Sequence, residues 1–99
     1  KYRGNFLNEP ISVIIVDREK EVEQDELDPT YELVNWRIKI NKGADAGITR
    51  GLHFTTKDNR FFIDIDAVKP QVSYGRCYIH NMEEQFFRIG TEMRTQWRE

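Results

Sequence analysis

The chain has 99 residues, 38% of them hydrophobic, 32% charged and 12% aromatic, and a formal net charge of −2. One modest core fits that length, which excludes a two-domain enzyme with a cleft between halves, and the aromatic content excludes a disordered chain. With no excess of Lys and Arg to neutralise phosphates, nucleic-acid binding would need a local basic patch.

In chain order, residues 1–10 form a lead-in without periodicity. Residues 11–16 are short and β-branched, as in a strand buried on both faces, and the strand can run on to Val22 with Asp17, Arg18 and Glu19 leaving the core. The acidic run 19–28 reads as a solvated hairpin tip or loop; it lacks the Asp/Asn alternation and the glycine of a calcium loop. Residues 31–41 give the clearest strand: Val34, Trp36, Ile38 and Ile40 alternate with Asn35, Arg37, Lys39 and Asn41. The pair Leu33–Val34 suggests a bulge or a doubly buried start.

Three glycines, Gly43, Gly47 and Gly51, punctuate the next segment, after which Leu52, His53 and Phe54 begin another strand. A polar turn at residues 57–60 carries Asx chemistry. Phe61, Ile63, Ile65 and Ala67 alternate with Phe62, Asp64 and Asp66, and Pro70 interrupts that edge. The last strand is residues 71–79, with a bend or bulge at Ser73-Tyr74-Gly75. The pattern then changes period: Asn81 reads as an N-cap, and Met82, Phe86, Ile89, Met93 and Trp97 fall on one helical stripe with Arg94 and Arg98 near its end. Gly90 lies inside that stripe, a cost to the helix that close packing would offset. The predicted fold is therefore mainly β: a small five- to six-stranded antiparallel barrel with one C-terminal amphipathic helix, in one domain spanning residues 1–99, the barrel over 1–80 and the helix over 81–99. Closure into a barrel removes exposed edges.

The stretch from Ile40 through Asn41, Gly43, Gly47, Ile48 and Gly51 to Phe54 has the form strand, N-x-G-x-x-x-G-[IV]-x-x-G, strand. It resembles a connection in small bacterial β-barrels, namely the β-domain of the rod-shape-determining protein MreC and the C-terminal barrel of the flagellar T-ring protein. The likeness covers residues 36–79. Physically, Gly43 and Gly47 suit positive φ, Gly51 frees the turn into the next strand, and Ile48, alone in a polar loop, is expected to plug the end of the barrel. The resemblance implies a scaffold or assembly domain without catalytic residues, in the bacterial cell envelope or periplasm rather than the cytoplasm; a single cysteine leaves the compartment itself open.

Reactive constellations are sparse. Cys77 and His80 stand three apart on or after one strand, so their side chains point to opposite faces, and His53 reaches Cys77 only through the fold. Two histidines and one cysteine are too few for a structural zinc site. Asp64 and Asp66 share a face and could hold a divalent cation or act as paired carboxylates, although a solvated outer face is the plainer explanation. Arg37, Lys39, Arg60, Arg76, Tyr74 and Tyr78 are the residues through which a small barrel would hold single-stranded nucleic acid. No apolar run approaches a bilayer span, and no signal peptide is present; a start at Lys1 suggests a processed or excised chain.

These observations lead to a non-enzymatic interaction or assembly module, part of a larger bacterial protein or complex. No catalytic residue, metal or cofactor is expected, and the partner is a protein or a second copy. Phe86, Phe87, Met93 and Trp97 are the docking candidates, because they offer more apolar surface than one side of a short helix needs. An oligonucleotide-binding barrel is the first alternative and a small metal-dependent enzyme using Asp64 and Asp66 the second.

Overall fold

The structure is a computed structural model that describes residues 10–24, 26–28, 30, 32–77 and 84–97. The described residues form six strands: β1 (Ser12–Gln24), β2 (Glu32–Ile40), β3 (His53–Thr55), β4 (Phe62–Val68), β5 (Ser73–Cys77) and β6 (Glu92–Arg94). All pairings are antiparallel, in the order β1-β2-β5-β4-β3-β6, and β6 pairs back onto β1, so the sheet closes in a ring.

Alternation explains the core. Val13 and Ile15 of β1, Trp36, Ile38 and Ile40 of β2, Ile63 and Ile65 of β4, and Cys77 of β5 all point inward and are buried. Two bulges let the sheet curve tightly enough to close. One is at Val16, where the β1–β2 register slips between Ile15 and Asp17; the other is at Asp66, between Ile65 and Ala67. Residues 73–75, expected to bend, are instead regular: Gly75 lies flat opposite both Ile38 and Ile65, and a Cβ there would come within 3.0 Å of the Asp64 carbonyl and the Ile63 side chain. Leu33 and Val34 also pair in regular register, with Glu23 and Val22, so no bulge sits there.

The glycine loop folds over one end of the ring. Ile48 is 2% exposed and belongs to the core. Gly47 and Gly51 take positive φ, of 87° and 90°. Gly43 does not, contrary to expectation: its φ is −137°, and it is needed because the backbone of 69–72 passes where a side chain would stand, with Lys69 O only 2.0 Å from the position of a Cβ. The contact is fixed by Ala44 and Asp45 N–H donating to the carbonyls of Lys69 and Pro70.

The C-terminal amphipathic helix expected over 81–99 is corrected by the structure. Its start, with Asn81 and Met82, lies outside the described residues. The chain then makes a four-residue 3-10 turn, Glu84–Phe87, and enters strand β6. Gly90 has φ 97°, which no right-handed helix contains, and a Cβ there would touch nothing, so close packing is not its role. Gly90 N–H donates to Ile15 O and Thr91 O accepts from Ile15 N–H. The helical stripe is thus broken up. Phe87 packs against Trp36 and Phe61 at ring-centroid distances of 5.4 and 4.7 Å, Met93 faces inward from β6, and Ile89 is 61% exposed. The hydrogen-bonding demand of the edges of β1 and β3 outweighs the local helical period, because a ring lacking β6 would leave both open.

Candidate interaction surface

The residues that alternate with the core build a charged outer face. Register places Glu19, Arg37, Arg76, Asp64 and His53 on one line across β1, β2, β5, β4 and β3. Arg37 and Arg76 are directly opposite, and like charges so placed repel. Each is offset by a carboxylate from a neighbouring line: Arg37 lies 3.4 Å from Asp66, and Arg76 lies 3.2 Å from Glu21. His53 Nε2 lies 2.9 Å from Asp64 Oδ1. Asp64 and Asp66 therefore each face a different nitrogen group rather than one shared cation position. Among the described residues no three His, Cys, Asp or Glu side chains cluster to hold a metal.

Tyr74 sits among cations on this face, with Arg37, Lys39 and Lys69 at 5.1, 6.0 and 5.7 Å from its ring centre. Arg37, Lys39, Tyr74 and Arg76 are thus brought together, as the nucleic-acid alternative requires. Arg60 is elsewhere, against Asp58 and over the Phe86 ring, and Tyr78 lies outside the described residues. The recess beside Tyr74, lined by Asp17, Arg18, Glu19, Arg37, Lys39 and the ring itself, holds about 40 Å³. His53 is exposed and stacked on Phe62, while Cys77 is fully buried, so they do not form a pair; His80 lies outside the described residues.

No family model, curated protein or solved structure matches the chain.

Of the four docking candidates, Phe87 and Met93 are fully buried and belong to the core, which corrects their assignment to a surface. Phe86 is half-buried against that core under the Arg60 guanidinium. Trp97 is half-buried; its indole N–H donates to Thr55 O at 2.9 Å, and Arg94 covers the ring at 4.5 Å. Exposed large apolar side chains remain at Phe62 and Ile89 and, along the β1–β2 hairpin, at Val16, Val22 and Leu27. The ladder of that hairpin continues from Lys20–Trp36 to Gln24–Glu32, with Val22 49% exposed, and Leu27 in the connecting turn is 95% exposed. The sequence held a signal for this: residues 17–23 alternate acidic and non-acidic without a break, the two-residue period of a strand.

Among the described residues three exposed carboxyls are held below their ordinary values. Glu92 is lowered first by the Ser12 hydroxyl and then by Arg94; Asp58 by the Thr56 hydroxyl and the Arg60 amide; Asp28 by the hydroxyl and amide of Thr30. The Asp58 and Asp28 contacts lock turns. The Ser12–Glu92 contact ties β1 to β6.

Proposed function

We propose that this chain is a non-enzymatic interaction module: a small closed barrel that presents its β1–β2 hairpin to a protein partner within a larger bacterial assembly. The observation that carries this reading is the hairpin itself. It continues past the level of the Trp36–Cys77 pair with an exposed valine on one strand and an almost fully exposed leucine at its turn. Val22 stands on the ladder and Leu27 at the turn beyond it, and apolar side chains grouped toward one end of a hairpin offer surface that a partner can cover. The likeness of residues 36–79 to the MreC β-domain and the flagellar T-ring barrel belongs to the same reading, and the Gly43–Gly51 loop with Ile48 turned inward is what supports it. On that likeness the assembly is one of the cell envelope.

The test is site-specific photo-crosslinking in bacterial cells that make the protein. A crosslinker at Leu27 should give one discrete adduct, and one at exposed Arg50 should not. Equal labelling at both positions, or none at Leu27, would overturn the proposal.

A second reading rests on Tyr74 and its three cations, an arrangement that suits a stacked base beside phosphates. It requires salt-sensitive binding of a single-stranded oligonucleotide that Tyr74→Ala weakens; no anisotropy change at low salt ends it.

A further inference from the structure

We infer that the outer edge of β1, from Glu19 to Gln24, receives an extended protein segment that carries Lys or Arg at every second position. The inference rests on the proposed docking role of the hairpin and specifies the kind of partner.

Near its start β1 has neighbours on both sides: Ser12, Val13 and Ile14 pair with β6, and Ile15 exchanges hydrogen bonds with Gly90 and Thr91. From Asp17 to Gln24 it pairs with β2 alone among the described residues. The opposite edge of this stretch therefore offers the backbone donors and acceptors that an added strand uses.

Side chains define what that strand must carry. Asp17, Glu19, Glu21 and Glu23 line one face of β1 and Lys20, Val22 and Gln24 the other. Arg76 engages Glu21. Among the described residues Glu19, Glu23 and Lys20 have no ion-pair partner. In an antiparallel pair, residues directly opposite lie on the same face, so an incoming strand with cations at alternate positions meets the acidic row, while an acid and an apolar residue meet Lys20 and Val22. A second copy of the chain does not fit. Two-fold antiparallel pairing through this edge sets outer face beside outer face and the acidic row against itself, and like charges opposite one another are destabilising.

The probe is a labelled peptide, Thr-Lys-Val-Lys-Glu-Lys, compared with Thr-Val-Glu-Lys-Lys-Lys, which has the same composition and charge without the alternation. The alternating peptide is expected to bind about fivefold more tightly by fluorescence anisotropy, to slow hydrogen exchange at Val22, and to lose that advantage against Glu19→Lys/Glu23→Lys protein whose thermal midpoint confirms folding. Sedimentation velocity should show a monomer across a hundredfold concentration range. Equal binding of the two peptides, binding of neither, or a dimer dissociated by the double substitution would each overturn the inference. Any of these with the Leu27 adduct intact overturns the added strand alone; loss of the adduct as well removes the docking hairpin with it.

Discussion

Gly43 and Gly51 look alike in the sequence but answer different physical demands. At Gly43 the backbone of 69–72 occupies the space of a side chain, whereas at Gly51 nothing lies within 4 Å and only a φ of 90° disfavours other residues. Gly43→Ala must push two backbone segments apart and is expected to cost about 3 kcal/mol or more. Gly51→Ala meets only left-handed strain, about 1–2 kcal/mol. Denaturant melts of both variants check the order, and an equal loss would mean that the loop does not pack on 69–70 as described. At Glu92 the prediction concerns pH. Its carboxyl is lowered from an ordinary value of 4.5, chiefly by the Ser12 hydroxyl, so its contribution to stability is full above that value and is lost as pH falls through the lowered one. As pH falls below 4.5 and through the lowered value, the thermal midpoint of the wild type should fall more steeply than that of Glu92→Gln.

Gly90 offers a test at the level of elements. In a helix, replacing glycine by alanine stabilises by about 1 kcal/mol; at φ 97° in the turn before β6 the same change should destabilise by about 1–2 kcal/mol. The sign of the change in a Gly90→Ala melt therefore separates the two structures. Five of the strands were legible, β2 and β4 most clearly, because Trp36, Ile38 and Ile40 in the one and Ile63 and Ile65 in the other keep a strict two-residue period with one buried face. Strand β6 was not legible. Its three residues carry one inward side chain, Met93, and what holds them extended is pairing with β1, some eighty residues earlier. Phe86, Ile89 and Met93 meanwhile fall at helical spacing, although they occupy a turn, an exposed corner and a strand. The surface was half legible: the cationic set Arg37, Lys39, Tyr74 and Arg76 sits on one face as alternation requires, while the position of the exposed apolar groups was misplaced along with the helix.

For the whole molecule, the decisive contacts join distant parts of the chain. Ile11 N–H donates to the Thr95 hydroxyl across 84 residues of sequence, and Thr95 N–H returns to Ile11 O. Sheets built from such pairings fold on the order of milliseconds to seconds. Because the cost of bringing the two ends together comes before the reward, the β1–β6 seam should form after the folding transition state. Met93→Ala is then expected to accelerate unfolding and leave refolding nearly unchanged, with a φ-value below about 0.3 in a chevron analysis; a value near one would make the seam the nucleus. During synthesis the same seam sets a waiting time. A ribosome adding about 5–20 residues per second needs roughly 4–16 s to travel from the first strand to its last neighbour, and for that interval the nascent sheet has an oily interior without its final stave. Until the closing tripeptide clears the exit tunnel, the growing chain exposes apolar surface that the ring will later bury, and a truncation just upstream of it would leave a product that is already hydrophobic but cannot shut.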